Sequence, residues 1–342
     1  MKFPYRFRVV FLSFLAVFIC YIDRVNISVT IIPMQKQFGW SEFQTGFIFS
    51  SFYFGYMITM IVGGYLADKY GGKRVLGYCL IIWSIFTIIT PYFAYLGIWW
   101  LVFIRILMGL GEGITFPSWH AIYARWIPFK ERTRAVAFTN SGIAAGTMFG
   151  YGVAAIIIAN YSWEWVFYLF GMLGFFWIIF WNKNVTSFPE NNKYITAEEL
   201  DLILKEAPSK ESARSIPLLK LVTNLPFLAI VVATFCNNWT LYTFLSYIPK
   251  YVSGPVESGG MGIELESSLF LYAILVPCLV AIISLILGGY LADYLIKKGH
   301  KVINVRKLVN SIGFFGSAIC LYYISSVDSL LIAVILLCLI NV

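Results

Sequence analysis

Residues 63–68 read GGYLAD, and residues 288–293 read GGYLAD again, 225 positions further on. Basic residues follow each copy: Lys69, Lys73 and Arg74 after the first, Lys297, Lys298 and Lys301 after the second. Each copy also closes an apolar run long enough to cross a bilayer, so the two sit at the same end of equivalent helices. Six identical letters at equivalent positions point to a duplicated helical unit, not to chance in a glycine-rich chain.

The surrounding composition agrees. Of 342 residues, 60% are hydrophobic and only 12% charged, with a mean hydropathy of +0.79. That is the composition of an integral membrane protein. Apolar runs of about 20 residues, the length needed to span, occupy 7–31, 44–66, 75–96, 98–122, 134–158, 163–182, 225–248, 268–292 and 308–325, and a tenth begins at Ser329. The first run is not a cleavable signal, because it carries Asp23 and Arg24 and lacks a small-residue cleavage site. Cys20, Cys79, Cys236, Cys278, Cys320 and Cys338 all fall in or beside apolar runs without metal-ligand spacing. They read as small buried hydrophobes, neither disulfides nor ligands.

The net charge of +8 is a matter of topology. Basic residues crowd alternate connections, while the other connections hold only Lys36 and Lys250. This positive-inside pattern places the N-terminus in the cytoplasm and argues against a nucleic-acid footprint. The fold expected is therefore an all-α polytopic membrane protein with two pseudo-symmetric six-helix halves. Residues 1–182 form the first half and 183–222 a cytoplasmic linker. Residues 223–342 form a second half, helices 7–10, truncated after about four helices; by the repeat spacing it should continue for about 65 residues more. Within the linker, Thr196 and Glu199 spell a capping box before a short amphipathic helix.

Paired glycines at Gly63 and Gly64 allow close helix approach, and Asp68, like Asp293 in the second copy, can bond a neighbouring helix end or an arginine. Lys73 and Arg74 hold the loop at the anionic leaflet. Together with Arg125, Lys130, Glu131, Arg132 and Arg134 they read as a gating network on the inner face.

GGYLADKYGGKR resembles the signature loop of the major facilitator superfamily, and residues 105–113, RILMGLGEG, resemble its fourth-helix motif. More narrowly, YIDRVNIS (21–28), GLGEGITFPSWHAIYARWIPFKERTRA (109–135), FCNNWTLYTFLSYIPKY (235–251) and VRKL (305–308) are similar to its anion:cation symporter branch. That branch includes sialin, vesicular glutamate transporters, plant phosphate transporters and bacterial hexonate and hexuronate permeases. The chain departs from the pattern at Met60 and Val62, where the family usually has Gln and Pro, and at Met108, where sialin-like members have Glu.

Charges deep in a span cost about 2.5–3.5 kcal/mol each, so they require a reason. Four stand out: Asp23, Arg24, Arg105 and Glu112. Arg105 and Glu112, two turns apart, share a helix face. Asp23 and Arg24 diverge by about 100°, so Arg24 is expected to face a central cavity with Asp23 at its edge. Guanidiniums suit a carboxylate or phosphate because they donate in parallel and keep their proton. Carboxylates nearby suit proton loading, since a protonated acid releases its arginine to the substrate. The resemblance implies the same roles for these four. It also places Tyr21 and Tyr56 as substrate-contacting tyrosines, and a histidine at His120, which reads either as a proton relay or as a structural residue beside Trp119. Asn238 and Tyr242, one turn apart, present a polar face from the second half.

The expected function is proton-coupled symport of a small organic anion, such as a sugar acid, by a chain expected to act as a monomer in the bilayer. Phosphate transport or sodium coupling is the alternative within transport, and a transport-inactive receptor or degenerate fragment the alternative outside it. No enzyme is indicated, because no nucleophile–base pair, metal-ligand cluster or cofactor motif is legible; Gly109, Gly111 and Gly113 lie within a span and not after a strand. A bacterial inner membrane and a eukaryotic plasma or organelle membrane both accept this topology.

Overall fold

A computed structural model of the chain describes residues 4–205, 223–324, 326–327 and 329–340. The described residues are helical throughout, with short turns between. Helices α1 (Arg6–Phe38), α2 (Glu42–Tyr70), α3 (Gly72–Leu96), α4 (Ile98–Glu112), α5 (Thr115–Trp126), α6 (Phe129–Asn160) and α7 (Glu164–Asn184) are followed by the short α8 (Ala197–Lys205). Then come α9 (Leu225–Ser253), α10 (Ser268–Lys297), α11 (Val302–Ile324) and α12 (Leu330–Ile340). Among the described residues eight helices are long and apolar enough to cross a membrane, α4 and α5 counting as one, or nine when α2, bent by 47° at Met60–Val62, is included. This matches the nine complete apolar runs and makes the chain a multi-pass integral membrane protein. Of the tenth run, α12 is the described part, and residues 341–342 lie outside it.

The described chain groups into two compact units, 1–146 with 161–216 and 147–160 with 217–342. The described part of the linker, 183–205, falls within the first unit. Residues 206–222 lie outside the described residues.

The first unit is held by backbone-to-backbone contact between α2 and α4. A Cβ at Gly55 would run into the carbonyl of Ile106, one at Gly109 into the carbonyl of Phe52, and one at Gly113 into the carbonyl of Tyr56. Only glycine permits that approach, which in a membrane replaces the missing hydrophobic drive with dispersion contact. Just after Glu112 the fourth span breaks into α4 and α5, where Gly113 is pressed against α2. Elsewhere three buried tryptophans satisfy their indole N–H on backbone carbonyls: Trp177 on Leu12 at 2.8 Å, Trp181 on Lys73 at 3.0 Å and Trp126 on Thr186 at 2.9 Å. Without such partners each buried N–H would carry its desolvation cost.

At the N-terminal end of α1 the expected capping box is only half realised. Thr196 Oγ1 accepts from the Glu199 amide at 3.3 Å, but the Glu199 carboxylate turns away. It accepts from the amides of Tyr5 at 2.8 Å and Arg6 at 2.9 Å and from Arg6 Nη1 at 3.0 Å. The open N–H groups of α1, backed by a guanidinium, are a better site for a carboxylate than its own helix offers. Arg6 Nε also pairs with Glu131 at 2.7 Å, so one side chain ties α1, α6 and α8 together.

In the second unit Tyr151 donates to the carbonyl of Leu245 at 2.7 Å and Ser317 to that of Ile340 at 2.9 Å. The two GGYLAD copies differ in packing. Gly63 would bring a Cβ to 3.0 Å from Ile114, whereas Gly64, Gly288 and Gly289 have nothing within 4 Å among the described residues. Among the described residues the close approach is seen at Gly63. Around the second copy α10 presents Leu287 and Tyr290 outward.

Gly109→Ala is expected to destabilise the chain by about 1–3 kcal/mol through overpacking, while Gly64→Ala, a helix position with open space, should be neutral or mildly stabilising. Thermal unfolding in detergent checks the contrast.

Candidate functional site

The four charges deep within the spans, Asp23, Arg24, Arg105 and Glu112, gather inside the first unit on α1 and α4, against α2 and α3. Arg24 is 2% exposed and Glu112 fully buried. Arg24 places two nitrogens on a single oxygen of Glu112, Nη2 at 3.1 Å and Nε at 3.3 Å from Oε2. Cys20, one turn before Arg24, donates its thiol to the same oxygen at 3.2 Å and lies 3.7 Å from Arg24 Nη2. Three donors thus converge on Oε2, while Oε1 has no hydrogen-bond partner among the described residues.

Aromatic rings wall the pair. The Arg24 guanidinium carbon lies 4.6 Å from the ring centres of both Tyr21 and Tyr56 and 5.3 Å from that of Phe52. On α4, the Arg105 guanidinium sits 4.8 Å from the same Phe52 ring. Phe52 therefore serves two cations, a favourable arrangement for desolvated guanidiniums. Arg105 is equally buried but forms no ion pair among the described residues. Among the described residues its hydrogen-bond contact is to the sulfur of Met108, at 3.9 Å, and its Nε has no partner. Glu112 takes Arg24 in spite of the two-turn spacing that sets it on the face of Arg105, because α1 presents its guanidinium at the point where α4 ends.

Asp23 is fully buried and turned toward α3, where its Oδ2 accepts the indole N–H of Trp83 at 3.1 Å. The divergence between adjacent helical residues sends Arg24 to α4 and α2, and Asp23 to α3. The site thus joins Tyr21, Asp23, Arg24, Tyr56, Arg105 and Glu112, as the sequence suggests, and adds Cys20, Phe52, Trp83 and Met108. Cys20 is more than the buried hydrophobe expected, and Cys236, on α9, is exposed. An i,i+4 spacing to Arg24 was the available signal for Cys20; nothing local marks Phe52 or Trp83.

The remaining candidates lie elsewhere. His120, on α5, is exposed and stacks on Trp119 with ring centres 3.7 Å apart. Lys73 Nζ donates to Asn182 at 2.9 Å. Asp68, Arg74 and Arg134 are exposed, and Asp68 forms no ion pair among the described residues; the side chain of Asp293 lies outside the described ones. Asn238 and Tyr242, on α9, are half-buried and belong to the second unit. Among the described residues no group of three or more His, Cys, Asp or Glu side chains is placed to hold a metal. A cavity of about 540 Å³ lies beside the start of α1, lined by Tyr5, Arg6, Arg8, Tyr194, Glu198 and Leu202. Its Arg6 is already paired with both Glu131 and Glu199.

The sequence matches the family model described as Major Facilitator Superfamily over residues 13–342. It is 39% identical over 334 residues to "Probable anion transporter 1, chloroplastic" of Oryza sativa subsp. japonica, covering 98% of this chain and 62% of that one. It is 38% identical to "Sodium-dependent phosphate transport protein 1, chloroplastic" of Arabidopsis thaliana, covering 98% and 64%, and 33% identical to human sialin, covering 92% and 69%. The chain spans less than two thirds of the length of these plant relatives. Among solved structures it resembles a bacterial homolog of the human lysosomal transporter Spinster, inward-facing and unoccupied, with a TM-score of 0.72 at 18% identity over 100% of this chain and 73% of that one. A D-xylose-proton symporter gives a TM-score of 0.68 at 16% identity, over 99% and 80%. At these identities the structures speak for the fold.

Removing one partner of the buried pair strands the other. Arg24→Ala and Glu112→Ala should each cost about 3–5 kcal/mol, and the double variant much less than their sum. Denaturant unfolding of the four proteins in detergent measures the coupling; strict additivity would show that the pair does not act as one.

Proposed function

The chain belongs to the major facilitator superfamily, a family of transporters and not of enzymes, and on that premise we propose that it carries a small organic anion across the membrane by proton-coupled symport. The observation that carries this reading is the buried Arg24–Glu112 pair beside Arg105, a second guanidinium that forms no ion pair among the described residues.

A buried guanidinium cannot shed its charge, so Arg24 must hold some anion at every stage. Glu112 fills that role until a proton reaches it, with Oε1, buried and without a hydrogen-bond partner among the described residues, as the oxygen left to take it. Neutral Glu112 then holds Arg24 only weakly, and a carboxylate or phosphate from solution takes its place, with Arg105 as the second donor. Tyr21 and Tyr56 flank the bound anion. The loaded chain exchanges between states open to either side, since a site that needs both proton and anion to be neutral opposes passage of either alone.

In this reading residues 1–182 and 223–342 act as two halves joined by 183–222. Asn238 and Tyr242 contribute from the second half, His120 assists proton passage, and Gly63, Gly64, Asp68, Lys73, Arg74, Arg134 and Asp293 govern the inner gate. The distribution of basic residues supports a cytoplasmic N-terminus, and the chain works as a monomer in the lipid bilayer. A sugar acid or similar carboxylate is the substrate class we favour. The second reading, sodium-coupled phosphate transport, draws on the 38% identity to a protein named for that activity.

Uptake into proteoliposomes of labelled gluconate, glucuronate, glutamate and inorganic phosphate, under an inward proton or sodium gradient, tests both readings. We expect one organic anion to accumulate with the proton gradient, and Arg24→Ala and Glu112→Gln each to reduce accumulation at least about 100-fold, as loss of a paired buried charge implies. Accumulation of phosphate driven by sodium would establish the second reading. Binding without uptake by any gradient would make the chain a receptor.

A further inference from the structure

Three of the four charges deep within the spans are accounted for by the anion site, and Asp23 is left over. It forms no ion pair among the described residues, although its side chain is fully buried. One carboxylate oxygen, Oδ2, accepts the indole N–H of Trp83 at 3.1 Å; the other, Oδ1, has no partner among the described residues. Trp83 is itself fully buried on α3. Its place against α4 is tight, since a Cβ on Gly111 would lie 3.1 Å from the Trp83 Cβ. The indole is therefore fixed by packing on one side while its N–H is committed to α1 on the other.

Resting on the transport reading above, we infer that Trp83 is a positioning residue for proton coupling: it holds Asp23 toward α3, apart from Arg24, and selects Oδ1 as the oxygen that takes the proton. The chemistry of the donor makes the selection. An indole N–H donates and never accepts, so it supports Oδ2 as an acceptor in both states of the carboxyl group. A hydroxyl in its place would rotate and accept from a proton on either oxygen. The proton comes from water on one side, binds Oδ1, and returns to water on the other; Trp83 keeps its own hydrogen throughout. The titratable and charged groups whose fields reach Asp23 are Arg105 and Glu112 on α4 and Cys20 on its own helix. The second carboxylate is thus separate from the Arg24–Glu112 pair yet electrically coupled to it.

The test is a pH titration of the purified full chain followed by infrared difference spectroscopy, with Asp23→Asn identifying the Asp23 carboxyl band. In Trp83→Phe, which keeps a ring and loses the N–H, the midpoint of that band should move by about one pH unit toward alkaline values, the size expected for losing a hydrogen bond to a charged group. Trp83→His, which restores a ring N–H, should bring the midpoint back toward wild type. A Trp83→Phe midpoint within about 0.2 unit of wild type, well below the effect of such a bond, would overturn the inference. If the phenylalanine variant does not fold, Trp83→His decides: a midpoint near wild type supports the assignment, and loss of the Asp23 transition in a folded histidine variant overturns it. The readout requires no substrate, so absence of transport would remove the reading beneath the inference without being confused with failure of the hydrogen bond itself.

Discussion

A guanidinium enclosed by hydrocarbon and aromatic rings has no water to fall back on and cannot lose its proton. Arg24 therefore requires a negative partner, and the first unit is built to supply one. Glu112 ends α4 opposite it, Cys20 adds a third donor on the same carboxylate oxygen, and Tyr21, Tyr56 and Phe52 spread their ring faces around the charge. Dry surroundings make the attraction strong, and also make each partner costly to leave alone. An exchange of partners is consequently a natural event at this site, whereas simple separation is not.

Such a pair needs accurate placement, which comes from the backbone. Glycines at Gly55, Gly109 and Gly113 let α2 and α4 touch main chain to main chain, and that contact fixes Phe52 and Tyr56 against Arg105 and Arg24. Bulkier residues there would push apart the helices that carry the rings and the charges. At the far end of α1, Arg6 and Glu199 join the helix start to α6 and α8. The polar end is locked by ion pairs and the apolar middle by close packing, each device suited to its surroundings.

Much of this is written openly in the sequence. The GGYLAD repeat, the runs of about 20 apolar residues and the charges within them lead to a polytopic helical fold and to Asp23, Arg24, Arg105 and Glu112. These signals are legible because burying a charge in a membrane is costly enough to exclude accident. The partnerships are harder to read. Both acids could serve either arginine on spacing alone, and the choice of Arg24 for Glu112 depends on where α1 meets the end of α4. Trp83 lies 60 residues from Asp23, and no local pattern connects them. Glu199 looks like half of a capping box, and only the nearness of the α1 amides diverts it. The second GGYLAD copy differs in its surroundings: among the described residues Gly288 and Gly289 have no neighbour within 4 Å, where Gly63 meets Ile114.

The central claim is that Glu112 and the transported anion compete for Arg24. The most direct measurement is equilibrium binding of labelled gluconate and inorganic phosphate to the purified chain, from acid to mildly alkaline pH, in wild type and Glu112→Gln. If the account is right, wild type binds one of them tightly at acid pH and progressively less as pH rises, while Glu112→Gln binds it with an affinity that pH hardly changes. Loss of binding in Glu112→Gln, or a pH dependence equal to that of wild type, would contradict it.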